Sequence, residues 1–470
     1  MLTTDIKHKL ISIVGQENYE DNKASRLVYS YDATPNFQSL PDAVLSPRNT
    51  NEISAIVKVC NEYKIPIVPR GSGTNLCAGT CPTEGGIVLL FKHMNKIIEI
   101  DEENLTVTVQ PGIITLNMIQ EVEAKGLFYP PDPSSMKIST IGGNINENSG
   151  GLRGLKYGVT RDYVMGLEAV LANGDVIRTG GKLAKDVAGY DFTRLFVGSE
   201  GTLGVITEAT LKLIPLPETK KTMLALYQDI DAAARSVSKI IANRIIPATL
   251  EFLDQPTLKV VEAHAQIGLP TDVQAVLLIE QDGPPEVVER DMFRMAEICK
   301  QEQAISVQVA KSEEEAEALR TARRNALSAL ARLKPTTILE DATVPRSEIA
   351  RMVKAINEIA EKYDLTICTF GHAGDGNLHP TCPTDVRNHE EMERVEKAFE
   401  EIFIRAIELG GTITGEHGVG VMKAPYLELK LGAQGIAAMQ AVKSALDPNN
   451  IMNPGKVFAK ESRKRVVVTQ

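Results

Sequence analysis

The chain has 470 residues, 43% of them hydrophobic, and a formal net charge of −10 at neutral pH. That length exceeds what one small core supports, so we expect two domains, and the acidic balance argues against general nucleic-acid binding. No apolar run reaches the roughly 18 residues of a membrane-spanning helix, and the N-terminus MLTTD lacks the layout of a signal peptide.

The cysteines are scattered along the chain and include no C-x-x-C pair; they are Cys60, Cys77, Cys81, Cys299, Cys368 and Cys382. This spacing argues against a disulfide framework and against a four-cysteine metal site. Reduced thiols in a cytoplasmic protein are the simplest interpretation. Any iron–sulfur cluster would therefore have to lie on another polypeptide.

The first half of the sequence predicts helices and buried strands joined by glycine-rich loops. Residues 50–63 carry apolar side chains on one helical face, and a strand at 65–68 runs into the loop at 69–75. Further predicted elements are strands at 86–90 and 105–109, a helix at 115–126, and a hairpin at 167–177 over Asn173-Gly174.

The loop at 69–75 could cradle phosphate, because its glycines free backbone N–H groups to point at a ligand. It is neither a Walker loop nor the dinucleotide fingerprint, since Leu76 stands where the third glycine would be. Alone it could equally be a tight turn. Further glycine clusters at 142–151, 150–158 and 198–204 favour close backbone contact with a long dinucleotide over the alternative of simple turns.

Beyond Pro215-Leu216-Pro217, a plausible domain boundary, the pattern changes to two β-α-β units. They are predicted at 221–253 and 274–310, and together they indicate a ferredoxin-like antiparallel sheet with helices on one face. Later predicted elements are a helix at 313–333, a strand at 336–340, a helix at 347–363 and an amphipathic helix at 388–409.

The stretch from His372 to His379, HAGDGNLH, predicts a hairpin with Asp375-Gly376 at its turn. In that register the two histidines face each other with Cβ atoms about 5 Å apart, so they could share a metal ion. Downstream, Glu416 and His417 offer a carboxylate and a third imidazole. The alternative is a hairpin with two surface histidines and an ordinary loop.

These motifs resemble, in order, a known flavoprotein family. PRGSGTN, YPPDPSS, IGGN, DVAGYD and GSEGTLGVIT are similar to the FAD domain of vanillyl-alcohol-oxidase/PCMH flavoproteins. HAGDGNLH, GEHG and NPGKV resemble its 2-hydroxy-acid dehydrogenase branch. The resemblance implies an α+β fold. A two-subdomain PCMH-type FAD domain would span 1–217. A cap with a ferredoxin-like sheet and a C-terminal helical segment would span 218–457, its last segment returning to the flavin, and 458–470 would be a tail.

The resemblance also implies which residues bind FAD. The pyrophosphate would be held by Arg70, Gly71, Ser72, Gly73, Thr74 and Asn75. The isoalloxazine side would be lined by Pro131, Asp132, Ser134, Ser135, Gly142, Gly143 and Asn144. The adenine half would be flanked by Gly201, Gly204, Val205 and Ile206, and Asn453 would return to the ring.

FAD is expected to bind without a covalent link. Relatives that attach FAD covalently use a histidine in the first loop, and residues 69–76 contain none. The nearest histidine, His93, lies beyond the next strand. Cys77 and Cys81 are interpreted as small buried thiols.

By the same resemblance, His372, His379 and Glu416 would bind a divalent metal and His417 would be the catalytic base. Two imidazoles and a carboxylate suit zinc, iron or manganese with positions left open. An arginine of the helix before residues 340–341 would anchor the substrate carboxylate, with Arg324 preferred over Arg323.

The implied activity is FAD-dependent oxidation of a small 2-hydroxy acid. Relatives that act on 2-hydroxyglutarate place a lysine near the position of Ile338 to Glu340, and this chain has none there. That difference favours glycolate or, as the alternative, D-lactate. A non-catalytic flavin-binding subunit is the second alternative. An iron–sulfur partner subunit is the favoured electron acceptor, which could place the protein peripherally at the membrane.

Overall fold

The computed structural model describes residues 2–458, and its first part forms a small sheet of four strands in the order β1-β2-β4-β3. The strands are β1 (Tyr19–Glu20), β2 (Ala43–Leu45), β3 (Ile67–Arg70) and β4 (Ile87–Leu90), and the helices are α1 (Thr4–Val14), α2 (Lys23–Val28) and α3 (Thr50–Tyr63). Strands β2, β4 and β3 are parallel. The helix predicted at 50–63 is confirmed as α3, whose Ile53, Ile56 and Val57 are fully buried.

A second sheet follows, with five antiparallel strands in the order β5-β6-β10-β8-β9. Its strands and the flanking pair β7–β11 are β5 (Ile97–Asp101), β6 (Thr106–Val109), β7 (Leu127–Phe128), β8 (Val164–Val170), β9 (Val176–Gly180), β10 (Val205–Lys212) and β11 (Ile214–Pro215). Its helices are α4 (Thr115–Glu123), α5 (Ile141–Glu147), α6 (Gly154–Tyr157) and α7 (Phe192–Phe196). The two sheets have separate hydrophobic cores, as expected for two subdomains.

The glycine-rich stretch after residue 140 begins as a helix rather than a loop. The Thr140 hydroxyl accepts a hydrogen bond from the Gly143 backbone N–H at 3.2 Å and so caps α5. A threonine in this position satisfies a backbone donor that the helix cannot. The cap outweighs the low helix propensity of Gly142 and Gly143, on which the expectation of a loop rested.

The second half is built on a sheet of eight strands: seven in the order β15-β12-β14-β13-β18-β19-β16, and β17, which pairs with β19. The strands are β12 (Thr219–Tyr227), β13 (Thr249–Asp254), β14 (Ala275–Gly283), β15 (Ser306–Val309), β16 (Thr336–Leu339), β17 (Ala342–Thr343), β18 (Cys368–His372) and β19 (Asn377–Thr384). The first four take the 4-1-3-2 order of a ferredoxin-like sheet, so this prediction is confirmed.

Helices cover both faces of this large sheet. They are α8 (Ile230–Ala242), α9 (Gln255–Ala265), α10 (Pro285–Gln301), α11 (Glu313–Arg324), α12 (Ala326–Leu330), α13 (Ile349–Lys362), α14 (His389–Glu408) and α15 (Leu427–Leu446). One core packs α8, α10, α13 and α14 against the sheet, and another packs α9, α11 and α12 on the opposite face. The prediction of helices on one face was therefore wrong, because β13 and β14 bury side chains on both sides.

The chain returns to its beginning near residue 450. The Ile67 N–H donates to the Ile451 carbonyl at 2.7 Å, and the Asn453 N–H donates to the Ile67 carbonyl at 2.8 Å. Between residues 2 and 458, no helix has the length and apolarity needed to cross a membrane. Of the tail expected at 458–470, all but Phe458 lies outside the described part of the chain.

Candidate active site

The two histidines of the HAGDGNLH motif lie on one face of the β18–β19 ribbon, but not directly opposite each other. His379 pairs with Phe370, and His372 pairs with Asn377. The predicted two-residue turn was wrong: the His372 carbonyl accepts from the N–H groups of Asp375 and Gly376, so the connection spans 373–376. A register shift of two residues keeps every side chain on its face. The imidazoles thus remain diagonal neighbours, with ring centroids 5.2 Å apart.

Glu416 completes a group of three candidate metal ligands with these histidines. Its Oε1 lies 3.4 Å from His372 Nε2 and 3.3 Å from His379 Nε2, and one ligand atom from each residue lies within 4.8 Å of the others. Two imidazoles and one carboxylate are a donor set that zinc, iron or manganese accepts, with further coordination positions left open.

The electrostatics of this cluster favour a cation. Burial opposes ionisation of Glu416, yet the two imidazoles hold its pKa well below the usual range. Burial keeps the pKa of His379 low. At His372 burial acts the same way, but the neighbouring Glu251 carboxylate raises its pKa well above the ordinary value. The negative charge that attracts a proton here would equally attract a divalent metal, which fits the donor set.

Glu251, on β13, holds His372 from behind and was not predicted from the sequence. Its Oε1 lies 2.7 Å from His372 Nδ1, and its Oε2 lies 2.6 Å from the Arg323 guanidinium. A carboxylate on one ring nitrogen fixes the ring and directs the other nitrogen toward a metal. The only signal in the sequence was an acidic residue between the apolar Leu250 and Phe252 of β13, and its partner lies 121 residues away.

Asp341 organises the loop that carries Glu416 and His417. Its Oδ2 accepts the backbone N–H groups of Gly415 at 2.6 Å, Glu416 at 2.7 Å and His417 at 3.3 Å. Its other oxygen pairs with the fully buried Lys423 ammonium. These contacts, which the sequence did not reveal, set the backbone from which both functional side chains project.

His417 is placed to act as a base. Its Nδ1 lies 3.6 Å from Asp341 Oδ1, and its Nε2 lies 4.0 Å from Glu416 Oε1. Burial lowers the pKa of His417 to about 4, although the Asp341 carboxylate acts in the opposite direction. The ring is therefore neutral at neutral pH and can accept a proton.

These groups open into a cavity of about 430 Å³ between the two halves of the chain. The second half contributes His379, Glu416, His417, Arg323, Arg324, Leu339 and Phe370. Of the residues expected to bind FAD, the first half contributes Gly71, Ser72, Gly73, Thr74, Asn75, Ser134, Ser135, Gly143 and Asn144. The loop expected to bind the cofactor and side chains expected to bind the metal thus line the same cavity.

A second, narrower cavity adjoins the first and contains most of the other expected cofactor residues: Arg70, Gly142, Gly201, Ile206 and Asn453. Two buried polar atoms, Asn75 Nδ2 at the first cavity and Asn453 Oδ1 at the second, have no hydrogen-bond partner within the described chain. A Cβ on Gly71 would lie 2.2 Å from the Thr140 hydroxyl, so the backbone is tightly placed. Unpartnered donors and acceptors around a close backbone turn fit a polar dinucleotide such as FAD.

Four expected cofactor residues do not line these two cavities. Val205 is fully buried in the core of the first sheet, and Gly204 packs against Phe196 and the Val170 carbonyl. Pro131 and Asp132 lie behind the cavity wall. These four residues belong to the same sequence motifs as residues that line the cavities. Position in a motif does not show whether a residue packs in the core or lines a cavity.

Asp132 contacts Arg324, the arginine preferred as the anchor of the substrate carboxylate. It is 2% exposed and lies 3.5 Å from the Arg324 guanidinium and 3.7 Å from that of Arg153. Arg323 is committed to Glu251 at 2.6 Å, whereas Arg324 has only these longer contacts, including one at 3.9 Å to Glu317. Arg324 is therefore the freer of the two to bind an added carboxylate.

Glu340, in the segment where relatives place a lysine, does not line the catalytic cavity. Glu340 is 2% exposed and lies 3.4 Å from the Lys423 ammonium, so a cation does reach this region from another segment. Leu339 lines the cavity instead. Leu339 and Phe370 give this side of the cavity an apolar surface.

The three side chains considered for covalent attachment are engaged elsewhere. His93 Nε2 lies 2.9 Å from Asn18 Oδ1. Cys77 and Cys81 are buried, and the Cys77 thiol donates to the Gly418 carbonyl at 3.3 Å. None of the three lines the two cavities.

Comparisons with known proteins identify relatives that match both halves of the chain. The family model described as FAD binding domain matches residues 41–180, and that of FAD linked oxidases, C-terminal domain, matches 216–457. Glycolate oxidase subunit GlcD of Bacillus subtilis is 76% identical over 467 residues, covering 99% of each chain. D-lactate dehydrogenase of Anaerostipes hadrus is 36% identical, covering 89% of this chain and 90% of the relative. Substrate-bound p-cresol methylhydroxylase shares the fold, with a TM-score of 0.79 at 20% identity, over 97% of this chain and 96% of its own.

Proposed function

From the premise that this chain belongs to the FAD-linked oxidases and is an FAD-dependent oxidoreductase, we propose that it oxidises glycolate to glyoxylate as the flavin-binding subunit of a glycolate oxidase. The resemblance seen in the sequence is confirmed at the level of family and fold. The observation that supports the substrate class is the cavity in which His379, Glu416 and His417 meet the cofactor loops, with His372 beside them.

When bound, FAD would take up the hydride equivalent from the α-carbon, and a divalent metal would polarise the α-hydroxyl. The metal would be held by His372, His379 and Glu416. Glu251 fixes the His372 ring, and Asp341 fixes the loop that carries Glu416. Precise placement of ligands by such neighbours typically changes metal affinity or activity by about 10- to 100-fold.

In this proposal His417 accepts the proton of the substrate hydroxyl on Nε2. A neutral ring is required, and burial keeps His417 neutral by lowering its pKa to about 4. The Asp341 carboxylate at 3.6 Å from Nδ1 would stabilise the imidazolium that forms. Such general-base assistance typically contributes about 10²- to 10⁴-fold in rate.

Arg324 is the proposed anchor for the substrate carboxylate, because a guanidinium can bind it with two parallel hydrogen bonds. Its present partners, Asp132 and Glu317, are 3.5 and 3.9 Å away. Leu339 and Phe370 close the apolar side of the cavity. On that side a second substrate carboxylate would meet no cation, and burying an unpaired charge is costly.

Electrons are proposed to leave to an iron–sulfur partner subunit. The six cysteines are free and buried, and over residues 2–458 the group of His372, His379 and Glu416 is the one set of three or more side chains placed to bind a metal. The relative from Bacillus subtilis is itself named as a subunit. A cytoplasmic location, peripheral to the membrane through the partner, is part of this proposal.

D-lactate oxidation is the second candidate function, since the Anaerostipes hadrus relative is named for it. A non-catalytic flavin-binding role is less well supported, because His379, Glu416 and His417 line one cavity and His372 lies beside them. Loss of flavin reduction on substitution of these residues would distinguish a catalytic subunit from a non-catalytic flavin-binding one.

Anaerobic mixing of the holoenzyme with glycolate, D-lactate, L-lactate and D-2-hydroxyglutarate tests the substrate. Glycolate should bleach the flavin fastest, and D-2-hydroxyglutarate should be slower by one or more orders of magnitude. Arg324→Lys should raise the half-saturating concentration of every acid, while Arg332→Lys, at an exposed position, should not. D-2-hydroxyglutarate as the best substrate would contradict both the pocket argument and the assignment to glycolate.

A further inference from the structure

The segment 32–34, between α2 and β2, contacts the glycine-rich loop that is expected to bind the FAD pyrophosphate, and the mechanism above does not use it. It lies before residues 41–180, the range that the FAD binding domain family matches. The Ala33 N–H donates to the Gly73 carbonyl at 3.0 Å. This hydrogen bond brings the segment against the middle of the loop.

Thr34 joins the segment to the end of the loop. It is buried, and its hydroxyl accepts the Ala78 N–H at 2.6 Å and lies 3.4 Å from the Asn75 carbonyl. Ala78 has a φ of 58°, in the left-handed region that a residue with a Cβ rarely adopts. Such a conformation persists only where its surroundings hold it. The hydroxyl of Thr34 supplies a hydrogen bond at that position.

Asp32 joins the segment to the start of the loop. Its Oδ1 accepts the Thr34 N–H at 2.9 Å, and its Oδ2 accepts the N–H and the hydroxyl of Thr80 at 3.3 and 3.2 Å. The same Thr80 hydroxyl accepts a hydrogen bond from the Arg70 guanidinium at 3.2 Å. Because the hydroxyl donates to Asp32, its oxygen is left to accept from Arg70. Asp32 therefore orients a side chain expected at the FAD pyrophosphate.

The segment contacts carbonyl groups of the loop at Gly73 and Asn75. It takes up none of the N–H groups of residues 71–75, which are the groups that bind a phosphate. A glycine-rich loop that has to be ordered when the ligand binds loses affinity, and a loop already held in its bound conformation avoids that cost. The contacts of Asp32 and Thr34 are of the kind that would hold it.

We propose that the segment 32–34 holds the glycine-rich loop in its FAD-binding shape before the cofactor arrives, with Asp32 and Thr34 as positioning residues. The inference uses the FAD dependence of the chain and the proposed location of the pyrophosphate at Arg70 to Asn75. It does not depend on which 2-hydroxy acid is the substrate.

FAD retention by three variants tests the role of Thr34. Thr34→Val removes the hydroxyl at nearly constant shape, and Thr34→Ser keeps it. Thr108→Val is the matched control, because it removes a buried hydroxyl that pairs with Thr210 in the second sheet, away from both cavities. FAD released on dilution of each holoenzyme is measured by flavin fluorescence. We expect affinity to fall about tenfold in Thr34→Val and to change less than threefold in the other two. Wild-type affinity in Thr34→Val, or an equal loss in Thr34→Ser, would overturn the proposal.

Hydrogen exchange of the full chain, stripped of FAD, distinguishes a loosened loop from a weakened fold. The N–H groups of Ala78 and Thr80 donate to the segment. Exchange over residues 75–80 should therefore be about tenfold faster in Thr34→Val, while exchange in strand β4 stays as in wild type. Asp32→Asn, which keeps the size of the side chain, should speed exchange over the same residues and provides the test if Thr34→Val does not fold. Unchanged exchange over residues 75–80 in both variants would contradict the proposal.

Gly71→Ala tests the proposed location of the pyrophosphate separately. A Cβ at this position would lie 2.2 Å from the Thr140 hydroxyl, so the variant should disturb the loop itself and lower FAD retention. Wild-type retention in Gly71→Ala would place FAD elsewhere and remove the basis of the proposal. Loss of FAD in Gly71→Ala together with wild-type retention in Thr34→Val would keep the loop as the FAD site and overturn only the role of the segment 32–34.

Discussion

The imidazoles of His379 and His417 stack nearly parallel, with 10° between the ring planes and 5.3 Å between centroids. One is a candidate metal ligand and the other is the proposed base. Because the rings contact each other across the cavity, the site that binds the metal also positions the group that takes the proton. Substitutions of His379 and of His417 should therefore both lower activity, and the metal content of the variants should distinguish the two roles.

His379→Ala should lose most of the bound metal and most of the activity but retain FAD. The reason is that His379 supplies one of three ligands, while the FAD cradle is formed largely by the first half of the chain. Metal is measured by elemental analysis and FAD by absorbance. His264→Ala, which alters an exposed histidine of the same half, is the control. Full activity in a metal-free preparation would rule out a functional metal.

His417→Asn should reduce the rate of flavin reduction by about 10²- to 10⁴-fold, because asparagine cannot accept the proton. FAD, metal and the unreactive acid oxalate should still bind, since Asp341 holds the loop through backbone N–H groups that the substitution keeps. Stopped-flow absorbance gives the rate. A rate within a few-fold of wild type would exclude His417 as the base.

Glu251→Gln should weaken metal binding by about 10- to 100-fold, because His372 loses the carboxylate that orients it. It should also lower the free energy of unfolding by about 3 to 5 kcal/mol, since the buried Arg323 is left without its counter-charge. Metal titration and denaturant unfolding measure the two effects.

Glu280→Gln is the matched control for this change. It breaks another buried glutamate–arginine pair on the same sheet, between Glu280 and Arg320 at 2.7 Å, away from the metal ligands. It should cost stability without changing metal affinity. Equal loss of metal in both variants would mean that Glu251 acts only through folding.

Bound FAD should leave the protein completely on acid precipitation. His93 contacts Asn18, and the buried Cys77 and Cys81 do not line the cavities, so no attachment residue is at hand. The flavin absorbance of pellet and supernatant is compared, with a protein of known covalent flavin as the control. Yellow colour in the pellet would show a covalent link.

Stability should depend on pH through Asp254, which is fully buried at the start of α9. Burial raises its pKa from 3.8 to about 6. Because the folded state binds this proton more tightly than the unfolded chain, the stabilising effect is full below pH 3.8 and is lost as the pH rises through about 6. The difference can reach about 3 kcal/mol.

Denaturant unfolding of wild type and Asp254→Asn at several pH values between 4 and 7 measures this effect. The free energy of unfolding of wild type should fall relative to that of the variant as the pH rises. A constant difference between the two proteins would contradict the raised pKa.

Local patterns predicted the elements well and their long-range contacts poorly. Helix α3 and the ferredoxin-like strand order followed from periodicity. The predicted pairing of His372 with His379 was wrong by two residues, and a shift of two residues leaves both side chains on the same face of the ribbon. Glu251 could not be found, since its role exists only once β13 lies beside β18, where Phe252 pairs with Gly371.

The errors near the cofactor have a similar origin. Asp132 belongs to a motif whose neighbours line the cavity, but its side chain faces Arg324 and Arg153. The sequence has no lysine next to Glu340, yet Lys423, which lies far along the chain, reaches it at 3.4 Å. A motif identifies a segment, whereas the direction of each side chain depends on packing partners that one sequence does not reveal.

The return of residues 451–453 to β3 has a consequence for biosynthesis. Asn453 donates to the carbonyls of Gly79 and Glu200, and so ties together two early loops that flank the cofactor cavity. A ribosome must therefore translate past residue 453 before this cradle can close. A nascent chain stalled before residue 450 would hold its glycine-rich loops without the segment that joins them.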